Sequence, residues 1–194
     1  MNILPMGDQA LLVETDSVAE SFAGWSASLL PGVIELVPAA ATVLVRFDGV
    51  PASRVVQWLH DTDPIAVSSS NQELVEIDVR YDGPDLESVS ALLGLDVVRH
   101  HTEQVWTVAF CGFSPGFGYL VGDGSLTVPR LESPRTSVPA GSVGLAGEYS
   151  GVYPSASPGG WQIIGSTDAV LWDIRRASPA LLTPGTRVQF RSVT

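Results

Sequence analysis

The sequence predicts an α+β chain with two parts. A small ferredoxin-like α/β sandwich, in the order βαββαβ, covers residues 1–83. Linker helices and a β-barrel follow over residues 84–194. Three observations carry this expectation. Apolar residues in the first part switch between period two and helical spacing. Gly and Pro are isolated turn markers before residue 111 but crowd into clusters from Gly112 to Gly165. Short strand-like runs separated by turn residues follow Val105.

Taken in order, Ala10–Glu14 reads as a short strand. Asp16 or Ser17 can cap a helix that places Val18, Phe22, Trp25 and Leu29 on one face, and Pro31-Gly32 stops it. Val33–Val37 and Thr42–Phe47 read as paired strands, and Ser53–Asp61 as a helix with Val55, Val56 and Leu59 inward. Leu74–Tyr81 alternates with period two and completes the βαββαβ order. Two short helices are expected at 85–93 and 96–103, with Gly94 between them. They imitate a DNA-binding helix pair, but Asp96 and Glu103 flank Arg99, His100 and His101 on an acidic chain, so a linker that packs on the next sheet is expected. Beyond them, strands are expected at 105–110, 143–146, 162–164, 169–172 and 187–190.

The 194 residues include 10 basic and 21 acidic side chains, for a net charge of −11. Such a chain is a poor non-specific ligand for nucleic acid or anionic lipid. No apolar run approaches the roughly 20 residues that span a bilayer. The N-terminus lacks the pattern of a secretory signal, and a cytoplasmic protein with no membrane partner is expected. All ten basic residues are arginine. The absence of lysine excludes a Walker-type phosphate loop and Schiff-base chemistry. A single cysteine, Cys111, excludes an internal disulfide or Cys-rich zinc site and is expected to pack at a strand end. His100 and His101 are adjacent and so diverge, and no metal site is expected.

Gly112-Phe113-Ser114-Pro115-Gly116 matches the spacing of a serine-hydrolase elbow. The residue after that serine must donate its N–H to the oxyanion, and here it is proline. The aromatics of this segment are instead expected to anchor a loop and wall a pocket. Pro129-Arg130 and Pro134-Arg135 put two guanidinium forks in one loop, for an anion or for nearby Glu132 or Asp123. Gly141, Ser142 and Gly144 lie in a small-residue run whose N–H groups can cradle an anion. Tyr153, Trp161 and Gln162 belong to a second Pro/Gly loop, with Trp161 offering apolar area and Gln162 both a donor and an acceptor.

Together these segments resemble a known family. The ordered set is His101-Thr102…Trp106, Gly112-Phe113-x-Pro115-Gly116-Phe117-x-Tyr119-Leu120, Pro129-Arg130…Pro134-Arg135, Val138–Gly144, and Tyr153-Pro154…Gly159-Gly160-Trp161-Gln162-Ile163-Ile164-Gly165. It is similar to allophanate hydrolase subunit 1, also called the 5-oxoprolinase B subunit. Gly7–Ala10 and Pro184–Val188 fit as well. The chain departs from the family pattern at Trp106, at Glu148–Gly151 and at Ser166, where a basic residue is common.

The resemblance implies a C-terminal cyclophilin-like β-barrel and an obligate partner, the 5-oxoprolinase C subunit (allophanate hydrolase subunit 2), possibly joined by an A subunit. It implies ATP-dependent opening of a lactam, with the nucleotide shared with the partner and the chain inactive alone. His101, Arg130 and Arg135 are the expected catalytic groups. Phe113, Phe117, Tyr119, Gly141, Ser142, Gly144, Tyr153, Trp161 and Gln162 are the expected binding groups for substrate or cofactor. Two alternatives are a non-enzymatic module that inhibits a histidine kinase and a component that hydrolyses allophanate or another urea derivative.

Overall fold

In the first part, period-two alternation places Leu11, Val13, Val43, Val45 and Phe47 on one face, where all five are buried. The computed structural model describes residues 1–66 and 74–194, which divide between two units. The first unit has strands β1 (Asn2–Pro5), β2 (Ala10–Glu14), β3 (Val33–Pro38) and β4 (Thr42–Phe47), with helices α1 (Val18–Ala27) and α2 (Ala52–Asp61). Its antiparallel sheet has the order β1-β2-β4-β3. Trp25 of α1 and Val55 and Leu59 of α2 share a core with the buried sheet residues. The Trp25 indole donates to the Leu59 carbonyl at 3.3 Å, which locks the two helices together. Ser17 stands at the N-cap of α1, but its side chain makes no capping bond.

The ferredoxin-like strand order holds with one correction. The strand expected to complete it, at 74–81, lies in the other unit, and β1 fills the vacated edge beside β2. Asn2–Pro5 escaped the sequence reading because Pro5 and the polar residues after it mask a four-residue edge strand.

The second unit opens with β5 (Leu74–Val79), α3 (Leu86–Leu93) and α4 (Val97–Glu103). Eight strands follow: β6 (Trp106–Cys111), β7 (Gly118–Val121), β8 (Arg135–Val138), β9 (Ser142–Ala146), β10 (Tyr149–Val152), β11 (Ser157–Gly159), β12 (Gln162–Ser166) and β13 (Arg187–Ser192). Seven strands of this unit form one sheet in the order β12-β9-β10-β7-β6-β13-β5, while β8 and β11 pair separately. β5 runs parallel to β13, from Leu74 beside Arg187 to Val79 beside Ser192.

The two edges of the large sheet meet. Arg80 and Ser166 exchange both backbone hydrogen bonds at 2.8 Å, Gly83 N–H donates to Ile164 O at 3.2 Å, and Asp85 N–H to Ile163 O at 3.0 Å. This seam makes the sheet a nearly closed barrel, which leaves few unpaired edge groups. Ile77, Val108, Leu120, Leu145, Ile164 and Val188 fill its interior. The expected strand at 169–172 is corrected: Trp172 makes only an isolated bridge to Ala180, because Val170 and Trp172 are exposed and have no ladder to join. Among the described residues no helix is long and apolar enough to cross a membrane.

The seam demands glycine at 83. A Cβ there would fall on the Ile163 carbonyl oxygen and the backbone just beyond it. Gly83→Ala is expected to lower stability by about 2 kcal/mol or more, because neither neighbour is a flexible side-chain end. Chemical denaturation checks this. Amide exchange should show the loss at Arg80–Asp85 and Ile163–Ser166 first.

Candidate functional site

Three loops from distant parts of the second unit converge. The first, 112–117, is pinched by Ser114 N–H donating to Gly112 O at 2.7 Å and Phe117 N–H to Ser114 O at 3.0 Å. The pinch forces Phe113 to φ +66°, the one positive φ outside glycine among the described residues. Such a conformation costs of order 1–2 kcal/mol and recurs at functional sites. It leaves the Phe113 ring 60% exposed. The second and third loops are tied together. Leu131 N–H donates to Gly160 O at 2.8 Å, and the Gln162 amide to Pro129 O at 3.3 Å. Gln162 is therefore a positioning residue for the loop that carries Arg130.

Phe113, Phe117, Tyr119, Tyr153 and Trp161 meet where these loops converge, as expected of a common wall. Phe117 is the hub, edge-on to Phe113 at 5.3 Å, Tyr153 at 5.5 Å and Trp161 at 5.3 Å. The rings largely fill one another and leave a depression of about 50 Å³, which Arg130, Pro158 and Gly159 also line. Among the described residues Arg130 has no carboxylate within ion-pair distance, so neither Glu132 nor Asp123 claims it. Burial pushes the Tyr119 and Tyr153 phenols above their ordinary value, and the Arg130 charge pulls both partly back.

Arg135 has another task. Its Nη2 donates to Asp85 Oδ1 at 2.7 Å and its Nη1 to Trp161 O at 3.3 Å. The other oxygen of Asp85 accepts the Ile163 N–H at 2.6 Å. Arg135 thus pins the Trp161 loop through the fold's own groups. Asp85 itself was missed. Its place before a helix announces an N-cap, but the side chain makes no capping bond and reaches across the seam instead. Beside this ion pair lies a cavity of about 280 Å³, which Arg135, Ser142 and Asp82 line together with apolar side chains.

The structure removes His101 from the site. It is 0% exposed inside the barrel and stacks on Phe190 at 4.3 Å. Tyr81 Oη meets its Nδ1, and Ser150 Oγ its Nε2, both at 2.8 Å. Burial pulls its pKa down to about 3. A neutral imidazole with both nitrogens engaged cannot reach a ligand, so its expected catalytic part is corrected to packing.

The expected anion cradle is also spent. Gly141 N–H donates to Tyr153 O, Ser142 N–H to Pro139 O, and Gly144 lies in the ladder between β10 and β12. Cys111 packs at a strand end as expected, its thiol facing Leu182 O at 3.5 Å and its pKa raised by burial. Among the described residues no three His, Cys, Asp or Glu side chains are placed to hold a metal.

The family described as carboxyltransferase domain, subdomain C and D, matches residues 1–182. A 5-oxoprolinase B subunit from Escherichia coli O157:H7 is 41% identical over 179 residues, covering 83% of this chain and 78% of that protein. This chain belongs to the 5-oxoprolinase B-subunit family. A second member, from Bacillus subtilis (strain 168), is 45% identical over 127 residues, 62% of this chain and 53% of that one. The crystal structure of TTHA0988 superposes with a TM-score of 0.78 at 32% identity, over 96% of this chain but 40% of that one. The fold of this B-subunit family member thus recurs as a minor part of a longer polypeptide.

Arg135→Ala would leave the nearly buried Asp85 carboxylate with one donor fewer, and is expected to cost about 1–3 kcal/mol of stability. The denaturation midpoint reads this.

His101 sets an acid limit. Its folded pKa of about 3 lies below its unfolded value, so the unfolded chain takes up a proton that the native one refuses. The associated stability is complete above about pH 6.5 and is lost as pH falls toward 3, by about 1.4 kcal/mol per pH unit within that window. Denaturation at pH 7 and pH 5 should show this slope in the parent chain. A folded His101→Gln chain should have a shallower one.

Proposed function

We propose that the chain works as the B subunit of a cytoplasmic, ATP-dependent 5-oxoprolinase, in a hetero-complex with the C subunit and possibly the A subunit. The observation that carries this reading is Arg130, free of an ion-pair partner among the described residues, at the mouth of an aromatic pocket built by three converging loops. A guanidinium beside buried rings is suited to grip an anionic group on a small organic molecule. The curated relatives described above are named for the same activity.

A lactam is resonance-stabilised, and its opening needs an activated carbonyl oxygen and a proton acceptor for water. The aromatic pocket provides neither. Its titratable groups are one guanidinium and two phenols with raised pKa. The residues present also do not fit a nucleotide. The depression of about 50 Å³ is too small for one, and the N–H groups of the Gly141–Gly144 run that could have held phosphates are bonded within the fold. ATP and the activating groups are therefore assigned to the partner. The recurrence of this fold within a longer chain supports a partner held close by.

The test is reconstitution. The complete complex is expected to hydrolyse ATP only when 5-oxoproline is present, and the chain alone not at all. Arg130→Ala should lower kcat/KM for 5-oxoproline by about 10- to 100-fold, the worth of one charged hydrogen bond, while the complex still assembles. Turnover by the chain alone, activity without 5-oxoproline, or full activity of the Arg130→Ala complex would each overturn the reading. Preference for allophanate in a substrate panel would replace it with the urea-derivative alternative.

A further inference from the structure

The depression beside Arg130 is too small for the kind of molecule its lining suits. Its volume of about 50 Å³ holds one or two waters at about 30 Å³ each, against roughly 300–1,000 Å³ for a small-molecule site. Most of its walls are fixed. Phe117, Tyr153 and Trp161 are buried in one cluster, and Tyr119 stacks on Phe110 at 4.3 Å. Phe113 is different. It lines the depression edge-on to Phe117 at 5.3 Å and to Tyr153 at 6.1 Å, yet more than half of it stays in solvent.

The backbone that presents this ring is unfavourable in two independent ways. Ser114 N–H reaches back two residues to Gly112 O with Phe113 at φ +66°, the positive-φ form of γ-turn, which is rare and strained. The following side chain is unsatisfied as well. Ser114 Oγ is buried and has no hydrogen-bond partner among the described residues, an uncommon state in native folds. Both features fall on the two residues that set the place of the ring.

The ends of the segment differ in freedom. At Gly116 an added Cβ would meet Trp172 Cβ at 3.0 Å and Leu171 O at 3.1 Å, so that end is packed tight. At Gly112 the one atom within reach would be a Tyr119 ring carbon at 3.9 Å, which leaves the backbone room to turn.

We infer that Phe113 is a gate: its ring stoppers the aromatic pocket in the free chain, and a swing about Gly112 that undoes the γ-turn admits the substrate beside Arg130. The swing releases the strain at Phe113 and brings the Ser114 hydroxyl to water. These gains offset the lost contacts of a ring that is already mostly solvated. The five-membered ring of a lactam is smaller than the phenyl ring that leaves, and its carboxylate can then face Arg130. The choice of 5-oxoproline as the entering molecule rests on the 5-oxoprolinase reading. The gate itself rests on the loop.

The sign of one substitution separates a gate from a wall. A wall supplies contact, so its removal weakens binding. A gate reduces apparent affinity by the fraction of time it stands open, about one-tenth or less for a minor state, so its removal tightens binding. Calorimetric titration of the assembled complex with 5-oxoproline, without ATP, should show Phe113→Ala binding about 10-fold more tightly than the parent. Ser114→Ala removes the unsatisfied hydroxyl from the closed loop. It should raise the denaturation midpoint of the chain yet weaken binding about 5-fold. A folded Phe113→Ala complex that binds no better than the parent overturns the gate.

Relaxation-dispersion NMR of the isotopically labelled full chain reads the motion without a ligand. Exchange on the microsecond-to-millisecond timescale is expected at the amides of Phe113, Ser114 and Tyr153, and at Tyr153 it should vanish in Phe113→Ala. Flat profiles at all three overturn the gate. Exchange of this kind in a chain whose complex neither binds nor hydrolyses 5-oxoproline keeps the gate and overturns the ligand. A complex that turns over 5-oxoproline while the Phe113 loop is immobile does the reverse.

Discussion

The Asp85 carboxylate is 8% exposed and has to be satisfied by protein groups. One oxygen takes the Ile163 N–H and the other the Arg135 guanidinium, so a single side chain joins the start of α3, strand β12 and strand β8. It stands at the end of the seam where the barrel sheet meets itself. The aromatic loops hang from this junction. Arg135 holds the Trp161 backbone, Trp161 packs on Phe117, and Phe117 orders the loop that displays Phe113. Loss of the carboxylate would unfasten both the barrel closure and the loop platform beyond it.

That junction separates two arginines that the sequence presents as a pair. Both follow a proline, five residues apart. Arg135 is half enclosed and neutralised by an internal acid, so it acts through the loops it fixes. Arg130 is exposed beside aromatic rings and keeps its charge available. In a chain of net charge −11, a guanidinium not committed to an internal carboxylate is a local exception to the surrounding field. The contrast comes from tertiary contact alone, since the partner of Arg135 lies fifty residues upstream.

Periodicity made the first unit legible, because Val43, Val45 and Phe47 alternate into one core and Val55 and Leu59 fall at helical spacing. It could not say which sheet the strand at Leu74 would join. A period-two pattern shows that a face is buried but not against what, and the pairing with β13 is set by residues more than a hundred positions away. In the barrel, β10 went unseen because Ser150 and Gly151 interrupt any alternation, although both are buried. The aromatic cluster was readable from Phe113, Phe117, Tyr119, Tyr153 and Trp161, since large rings in Pro/Gly loops need somewhere to pack. Asp85 and the true place of His101 were not. A carboxylate before a helix looks like an ordinary cap, and a histidine two residues from the end of a short helix shows no sign that it will be enclosed by Tyr81, Ser150 and Phe190.

The strand exchange at the edge of the first sheet has a consequence for how the chain is made. With β1 drawn from the start of the chain, the first sixty-six residues hold every strand and helix of their own sheet. Their sheet therefore has all its strands before any strand of the barrel is translated. The barrel must wait, because β5 is translated well before its distant parallel neighbour β13. During that interval the apolar residues of β5 wait unpaired, and vectorial synthesis gives this molecule one early-maturing unit and one that ripens only once β13 has been made.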